Sequence, residues 1–530
     1  MQRVLADRKT SSLKGNNALF SNIVACIAVG DVMRSLLGPR SRDKLLVNEY
    51  GEIIITNDGV TVMKSMNLEH PAAKMMVELS KCMDDQNGDG TTSVVVLASL
   101  LLRKSLRLLQ PGGGGSSLMD TFVMQSIPIH PLRIIQAYIA SSNIAIKTIK
   151  DMSIKFDFDT GRDMLLQTAR TTLNSKLVSH LSPSLPILAV DSVMMARKAI
   201  GDKVHISTQS IDIIGIDGAS QEESFLSTSL VMSLTFFNQL FDQPSNKPHK
   251  LALLGMSVLK PSNGNDIQVT MKDGYNLGNI VQEEESIAKS IVVALKRAGA
   301  TIVCVEDDHG QPLSNLSLSY FSKAKISVLK SLPRTELKSL SEETGSYIFN
   351  NVEMLKEKST PERLATLSSV SQRRIGNRML LFMDVAARPP MPTIILRGTT
   401  QTELEESKRA LHDAVCVLRN LTRNSEVVPG GGACEAEAAA QITKNATMMD
   451  SPISALPMIA FAEALMEIPE TLCINAGLDH LTLSNMLRAS HTTSSSTKYN
   501  GINLNNNGSV EDMVKNGVLE TTVNKLSQIT

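Results

Sequence analysis

The chain has 530 residues, of which 42% are apolar and 20% charged, and its 53 Lys and Arg residues balance 53 Asp and Glu residues. This length is too great for one hydrophobic core and predicts about three domains. The zero net charge disfavours a nucleic-acid or anionic-lipid partner, because no field draws the chain to a polyanion.

The cysteines and the apolar runs indicate the compartment. Six scattered cysteines without a CxxC pair fit reduced thiols better than disulfides or a zinc site. The basic N-terminal residues are followed by no apolar stretch, and the longest apolar run, 94–102, is too short to span a bilayer. We therefore expect a soluble, cytoplasmic protein with no membrane partner.

The N-terminal third is mainly helical by pattern. Its predicted elements are, in chain order, a helix over 17–37 stopped by Gly38-Pro39, a strand over 51–56, a turn over 57–59, a helix opened by Pro71, and helices over 92–109 and 131–150. The helix over 92–109 is too apolar to lie on a surface. The helix that begins at Pro71 is expected to pack through one face, formed by Leu68, Ala72, Met75, Met76 and Leu79.

The texture changes between about 215 and 392, where strands alternate with helices. Strands are predicted over 251–256, 301–305 and 325–329, so this region is typical of an inserted α/β module. An amphipathic helix follows over 400–421, with an apolar stripe formed by Leu404, Leu411, Val415 and Leu418. Since the C-terminal third is helical again, we expect it to pack against the N-terminal third.

The strongest chemical signal is Gly-Asp-Gly-Thr-Thr at 88–92, directly before a helix. The glycines allow close backbone approach, and the free N–H groups of a helix start attract phosphate. An Asp at this place would repel a phosphate unless a divalent cation lay between them, so Asp89 reads as a Mg²⁺ ligand. The alternative is that Asp89 only caps the helix. No Walker loop occurs in the sequence.

Other candidates are weaker on their own. Gly38 and Pro39 could meet a phosphate or could simply end a helix. Asp58 could be an ordinary turn residue. Asp413 lies off the apolar stripe, which favours a solvated acid on a helix face. The glycines at 430–432 precede a helix, where bare backbone could line a ligand.

Taken together, these segments resemble the group II chaperonins. The similarity is carried, in order along nearly the whole chain, by RSLLGPRSRDK at 34–44, IITNDGVT at 54–61, NLEHP at 67–71, GDGTTSVVV at 88–96, TLNSK at 172–176, LHDA at 411–414, VPGGG at 428–432 and NAGL at 475–478. Segments 70–96 and 313–340 look most like the delta subunit of the eukaryotic cytosolic chaperonin. The chain departs from the family at Met83, where Gln is usual, and at Asn87, where a small residue is usual.

The resemblance implies a multi-domain architecture of α and α/β parts. It comprises a helical equatorial ATPase domain, an intermediate hinge domain and an inserted α/β apical domain with a helical protrusion near 262–285. The equatorial domain would be formed by 1–152 and 426–530, the intermediate domain by 153–217 and 393–425, and the apical domain by 218–392.

The resemblance also implies a site for ATP and Mg²⁺. Asp89 would hold the metal, and Asp58 and Asp413 would polarise the attacking water. Lys176 would sense the γ-phosphate, Gly431 would border the nucleoside and Glu520 would meet the ribose. The phosphates would lie against Leu37, Gly38, Pro39, Gly88, Gly90, Thr91 and Thr92.

The implied partners are related chaperonin subunits in a hetero-oligomeric double ring and non-native client proteins, such as actin and tubulin. Leu316 and Tyr320, on a helix predicted over 313–323, would face those clients, although both could equally be core residues. Two other functions compete with this one. The first is a chaperonin-like scaffold without ATP turnover. The second is a metabolic ATPase or kinase, disfavoured because the Walker and kinase motifs are missing.

Overall fold

The protein is described here from a computed structural model. It covers residues 14–47, 51, 53–109, 128–176, 183–200, 211–233, 236, 248–256, 275–306, 315–357, 360–386, 392–493, 497–505 and 508–530, with the backbone alone at 198–200, 275–284, 315, 316, 330, 331, 360 and 493. The chain forms two compact units: unit 1, Met1–Val190 with Glu405–Thr530, and unit 2, Asp191–Leu404. The predicted protrusion at 262–285 falls mostly outside the described residues.

Helices dominate the fold. They are α1 (Asn16–Arg34), α2 (Gly59–Ser65), α3 (Pro71–Asn87), α4 (Thr91–Leu109), α5 (Pro131–Met152), α6 (Arg162–Asn174), α7 (Leu185–Ile200), α8 (Tyr275–Ala298), α9 (Asn315–Ala324), α10 (Arg334–Thr344), α11 (Val352–Leu355), α12 (Gln401–Arg423), α13 (Ala433–Thr447), α14 (Pro452–Asn475), α15 (His480–Thr493) and α16 (Thr522–Ile529). The predicted helices over 17–37, 92–109, 131–150 and 400–421 are confirmed as α1, α4, α5 and α12.

The strands of unit 1 have at most four residues among the described residues, whereas unit 2 contains both short strands and strands of up to eleven residues. They are β1 (Lys44–Val47), β2 (Ile53–Thr56), β3 (Ile154–Lys155), β4 (Asp212–Asp217), β5 (Phe225–Ser227), β6 (Leu230–Met232), β7 (His249–Leu254), β8 (Ile302–Glu306), β9 (Ser327–Leu332), β10 (Ile348–Phe349), β11 (Ala365–Ile375), β12 (Arg378–Val385), β13 (Thr393–Gly398), β14 (Glu426–Pro429), β15 (Asn500–Asn503), β16 (Ser509–Asp512) and β17 (Leu519–Thr521).

Unit 1 is organised around α4, whose Val95, Val96 and Leu100 are fully buried. The helix packs against α1, α3 and α14. Helices from both ends of the chain therefore share one core, as the sequence predicted. Beside this core, β14 is the central strand of the antiparallel sheet β17-β14-β3, and β1 pairs with β2 as an antiparallel ribbon.

The predicted packing face of α3 is correct at Met76, which is buried, and at Leu68 and Ala72, which pack against the core, but it is wrong at two positions. Met75 is 73% exposed, and Leu79 is also exposed. The buried positions of the helix share an i, i+3, i+4 spacing displaced from the predicted face: Ala73, Met76, Ser80, Met83 and Asn87. Two of these five are polar, so hydrophobicity alone did not select the whole stripe.

Among the residues that the structure describes, two helices, α1 and α14, are long and apolar enough to cross a membrane by length and composition. More than half of the apolar window of α14 is buried inside the protein, whereas 28% of the α1 window is. The core helices of soluble proteins pass the same test, and both helices contribute to the unit 1 core. That the protein has no membrane partner stays a prediction.

Unit 2 is the α/β module that the sequence predicted. Its main sheet has the order β6-β12-β11-β7-β8-β9, with β10 paired to β7. Strands β7, β8 and β9 are parallel, and α8 and α9 lie between them in sequence. The multi-domain α and α/β fold class is thereby confirmed. The finer division into equatorial, intermediate and apical domains stays a prediction, since unit 2 begins and ends outside the range 218–392.

Candidate nucleotide site

A cleft in unit 1 gathers polar residues from five separate stretches of the chain. It is lined by Leu36, Leu37, Gly38, Asn57, Asp58, Gly59, Asp89, Gly90, Thr91, Thr92, Ser93, Ser175, Lys176 and Asp413. Most of the residues that the sequence assigned to phosphates, metal and water therefore lie around one space. Of the other predicted residues, Pro39, Gly88, Gly431 and Glu520 are absent from this lining, within the described part of the chain.

The phosphate loop, defined as residues 88–92, joins the end of α3 to the start of α4. Gly88 ends α3 with φ 70°, and Gly90 has φ 79°. Both lie in the left-handed region that favours glycine. Because α4 starts at Thr91, the amides of its first turn have no carbonyl one turn earlier in the helix to bond, so they are available to an anion in the cleft.

Asp89 stands between the two glycines and points its charge at the cleft. One of its carboxylate oxygens accepts the Gly90 amide at 2.6 Å. In the described part of the chain no amide within α4 donates to it, which is evidence against the helix-cap alternative. Burial, and then the nearby charge of Asp413, raise the pKa of Asp89 to about 6. A cation beside this carboxylate would relieve that penalty.

The donor set fits Mg²⁺ delivered with a nucleotide. Among the described residues no group of three or more His, Cys, Asp or Glu side chains could cage a metal ion. Mg²⁺ usually keeps several waters and binds through one or two carboxylates plus substrate phosphates. Asp89 at the entrance of a phosphate loop is such a carboxylate.

Asp58 is fixed as the N-cap of α2. Its Oδ2 accepts the amide of Thr61 at 3.0 Å and the Thr61 hydroxyl at 2.6 Å, while its own amide donates to Thr56 Oγ1 at 3.0 Å. The predicted turn over 57–59 is therefore wrong, because the segment passes directly from β2 into a capped helix. Two hydrogen bonds hold Oδ2, and Oδ1 lies 3.7 Å from the Lys176 ammonium.

Lys176 joins the two acids that were assigned to water. Its Nζ lies 2.8 Å from Asp413 Oδ2 and 3.7 Å from Asp58 Oδ1. The three side chains are 9%, 14% and 16% exposed, respectively. The prediction that Asp413 is a solvated acid on a helix face is thus wrong, since the position opposite the apolar stripe of α12 meets the end of α6 and not water.

The charges in this group reinforce one another. Burial raises the pKa of Asp58, but the Lys176 ammonium and the Thr61 hydrogen bonds outweigh it and hold the pKa below its usual range. Burial lowers the pKa of Lys176, but Asp413 and Asp58 raise it by more. At neutral pH, Asp58 is therefore an ionised acceptor held beside a permanent cation.

Thr56, which accepts the Asp58 amide, is itself held by a residue of α12. Thr56, whose hydroxyl receives the Asp58 amide, donates to Glu406 Oε2 at 3.2 Å. Arg409 pairs with the same carboxylate at 2.6 Å. The buried Glu406 thus ties β2 to α12, the helix that carries Asp413.

Sequence reasoning missed several members of the site. Asn57 donates through its side-chain amide to the Ser175 carbonyl at 2.6 Å, which fixes the residue before Lys176. Its place next to Asp58 in the TNDG segment could have signalled this role. The two departures from the family, Met83 and Asn87, touch each other, with the Asn87 amide 3.4 Å from the Met83 sulfur. Their i, i+4 spacing on the predicted helix already indicates that contact.

Gly431 and Glu520 lie together in the β14–β17 region. Glu520 is opposite Val428 across the sheet, and its carboxylate pairs with Lys525 at 3.0 Å. Lys525 also pairs with the buried Glu435 at 2.6 Å. Gly431 has φ 61°, and a side chain there would clash with Met513. The roles of Gly431 and Glu520 toward a nucleoside stay predictions.

The two residues assigned to clients lie on α9 of unit 2. The side chain of Leu316 lies outside the described part of the structure. Tyr320 is partly buried against the unit 2 core, and its hydroxyl donates to Glu285. Its ring also meets the ammonium groups of Lys289 and Lys323, at 5.3 and 5.6 Å from the ring centre. Client binding here stays a prediction.

Comparison with known proteins identifies the family. Residues 29–530 match the TCP-1/cpn60 chaperonin family. The chain is 31% identical to thermosome subunit alpha of Methanothermobacter thermautotrophicus, over 96% of this chain and 88% of that protein. It is 30% identical to T-complex protein 1 subunit alpha of Schistosoma mansoni, over 97% and 92%. It is also 30% identical to T-complex protein 1 subunit delta of Schizosaccharomyces pombe, over 97% and 93%. The chain therefore belongs to the group II chaperonins of the TCP-1/cpn60 family.

Proposed function

We propose that the chain is an ATP-hydrolysing subunit of a chaperonin double ring that encloses and folds non-native proteins of the cytosol. Family membership makes it a chaperone subunit. The observation that carries ATP hydrolysis is the cleft in which Asp58, Asp89, Lys176 and Asp413 converge beside a phosphate loop. A scaffold without turnover would have no need to retain three acids and a lysine in one place.

The phosphate loop and Asp89 account for binding. The glycines bring bare backbone close to the ligand, and the first amides of α4 favour the negative charge of the phosphates. Mg²⁺, held by Asp89, would neutralise phosphate charge that develops as the γ-phosphoryl group departs. Leu37 and Gly38 close the cleft from the end of α1.

Asp58 and Asp413 account for hydrolysis. Phosphoryl transfer requires a nucleophilic water held in line more than it requires covalent chemistry from the protein. Asp58 is ionised at neutral pH and is held in place as the N-cap of α2, so it can accept a hydrogen bond from that water. Asp413 pairs with the same lysine. It can accept a hydrogen bond from the other hydrogen of the water, or take up the proton that the water loses on attack.

Lys176 has two roles in this proposal. Its ammonium pairs with both carboxylates, at 2.8 Å from Asp413 and 3.7 Å from Asp58, and so fixes both acceptors beside the water. It also supplies a positive charge where the terminal phosphate would carry its excess negative charge. Its position at the end of α6, next to Ser175, makes its placement depend on the Asn57 hydrogen bond.

The finer identity is also proposed. Segments 70–96 and 313–340 favour a delta-type subunit, although the T-complex alpha and delta relatives have the same 30% identity. We expect related but different subunits beside it in each ring, in the cytosol. Purification from native cells followed by mass measurement and electron microscopy tests this; a monomer of 57.5 kDa would contradict it.

Hydrolysis is tested separately on the same native material. We expect phosphate release from ATP that requires Mg²⁺ and stops when the metal is chelated. A ring that binds ATP without releasing phosphate would favour the scaffold function instead.

A further inference from the structure

Helix α12 contacts the last two residues of α3 and the first residue of the phosphate loop. Arg419 donates through Nη2 to the Gln86 carbonyl at 3.3 Å, and Asn420 donates through Nδ2 to the Asn87 carbonyl at 3.2 Å. Cys416 packs against Gly88 so closely that a side chain on that glycine would lie 2.3 Å from the Cys416 Cβ. Three successive backbone positions are therefore held by one face of one helix.

These contacts satisfy groups that α3 cannot satisfy itself. The last carbonyls of a helix have no donor one turn further along the helix. Asn87 is buried, and Arg419 and Asn420 are only 8% and 3% exposed, so little water can take their place. The guanidinium also places a positive charge at the negative end of the α3 dipole. The contacts thus fix the end of α3 and not merely its surface.

We infer that Cys416, Arg419 and Asn420 form a loop clamp, which holds the phosphate loop and the Asp89 carboxylate in the position that Mg-ATP requires. The inference rests on the proposed function. The three residues act as positioning residues, because their contacts are to the backbone of α3 and its end and not to the ligand.

The clamp explains how Asp413 and the phosphate loop keep a fixed position relative to each other. Asp413 lies on the same helix, one turn before the clamp. One rigid element therefore sets both the acid that meets the water and the loop that meets the phosphates. A shift of α12 would move both together, whereas loss of the clamp would free the loop and leave Asp413 beside Lys176.

The test uses variants of the full chain with matched controls. Asn420→Leu keeps the volume but removes the donor, and Arg419→Met removes the charge and the donor. Arg419→Lys keeps both and should rescue. Thr422→Val is the control, since the Thr422 hydroxyl bonds only to the Arg419 carbonyl of its own helix in the described structure.

Two readouts separate positioning from general stability. Without nucleotide, hydrogen exchange of the amides over 88–93 should accelerate about tenfold or more in Asn420→Leu and Arg419→Met. Mg-ATP affinity should fall about tenfold, while metal-free ATP affinity falls less, because Asp89 is displaced. In Arg419→Lys and Thr422→Val, the exchange rates over 88–93 and the Mg-ATP affinity should both stay within about threefold of the wild-type values. A tenfold change would correspond to about 1.4 kcal/mol.

Unchanged exchange over 88–93 in Asn420→Leu and Arg419→Met would overturn the clamp. The clamp would also be overturned if the control Thr422→Val lost as much Mg-ATP affinity as the two test variants. The same holds if the test variants showed a lower melting temperature with no change in exchange over 88–93 or in Mg-ATP affinity. If the wild-type chain binds no nucleotide, the proposed function fails, and the exchange measurement still decides the clamp.

Discussion

The nucleotide cleft of unit 1 and the α8–α9 surface of unit 2 both contain a lysine beside carboxylates, but in opposite settings. In the cleft, Lys176 and its two acids are less than a fifth exposed. On the surface, Lys289 and Glu285 are one helical turn apart and are 52% and 32% exposed. Exposed pairs of this kind contribute little to stability, whereas breaking a buried pair is costly.

The contrast separates a buried charge cluster from an exposed one. Burying three charges is unfavourable unless they are paired or serve a ligand. In the cleft, three charged residues from distant parts of the chain are buried together despite this unfavourable free energy. The α8–α9 pair is formed within one helix and is exposed to solvent. The following changes would break or sharpen the contrast.

The largest effect is expected from Asp89→Ala. Losing the carboxylate removes the only protein ligand that we assign to Mg²⁺, so Mg-ATP binding and hydrolysis should fall together, by about 10²-fold or more. Nucleotide titration with and without Mg²⁺ measures the first, and phosphate release the second. Asp85→Ala, an exposed acid on α3, is the control. An unaffected Mg²⁺ dependence in Asp89→Ala would remove the metal assignment.

Lys176→Met should destabilise unit 1 by about 3 kcal/mol, because two buried carboxylates would face each other without their cation. The pH dependence should also change. In the wild type the lowered pKa of Asp58 adds stability that is fully present above the ordinary pKa of the group and is lost only as the pH falls through the lowered pKa, so this carboxylate leaves stability flat between pH 8 and 5. In the variant, burial without the Lys176 ammonium should raise the pKa of Asp58, so that stability rises as the pH falls from 8 to 5.

Melting curves at pH 5 and pH 8 measure this change. Lys155→Met is the control, since Lys155 is 81% exposed in its pair with Glu426. Its melting temperature should barely change at either pH. A Lys176→Met chain that melts like the wild type at pH 8 would show that the buried pair is no stronger than a surface one.

The smallest effect is expected on the α8–α9 surface. Tyr320→Phe removes only the hydrogen bond to Glu285 and should change stability by less than about 0.5 kcal/mol. Tyr320→Ser removes the ring as well and should weaken capture of a denatured client while leaving basal phosphate release unchanged. If Tyr320→Ser unfolds unit 2, Tyr320 is a core residue and not a client contact.

Local sequence predicted α4 and the phosphate loop, because glycines, a helix start and an apolar run are contiguous signals. It did not predict the state of Asp413, since its partner Lys176 lies 237 residues away in the chain. Part of the packing face of α3 was also missed, because Ser80 and Asn87 are buried by tertiary contacts. The family resemblance supplied the expected role of Asp413 in hydrolysis. Helical periodicity alone would have placed Asp413 on the surface.

The central claim is that different residues of the cleft bind the nucleotide and promote its hydrolysis. The variant Asp413→Ala tests this claim most directly. Nucleotide titration and phosphate release are measured on this variant and on Glu405→Ala, an exposed acid of the same helix. We predict nearly unchanged nucleotide affinity and hydrolysis slowed about 10²–10⁴-fold, the usual contribution of a positioned general base. Phosphate release from Asp413→Ala at the wild-type rate would contradict the assignment of Asp413 to hydrolysis.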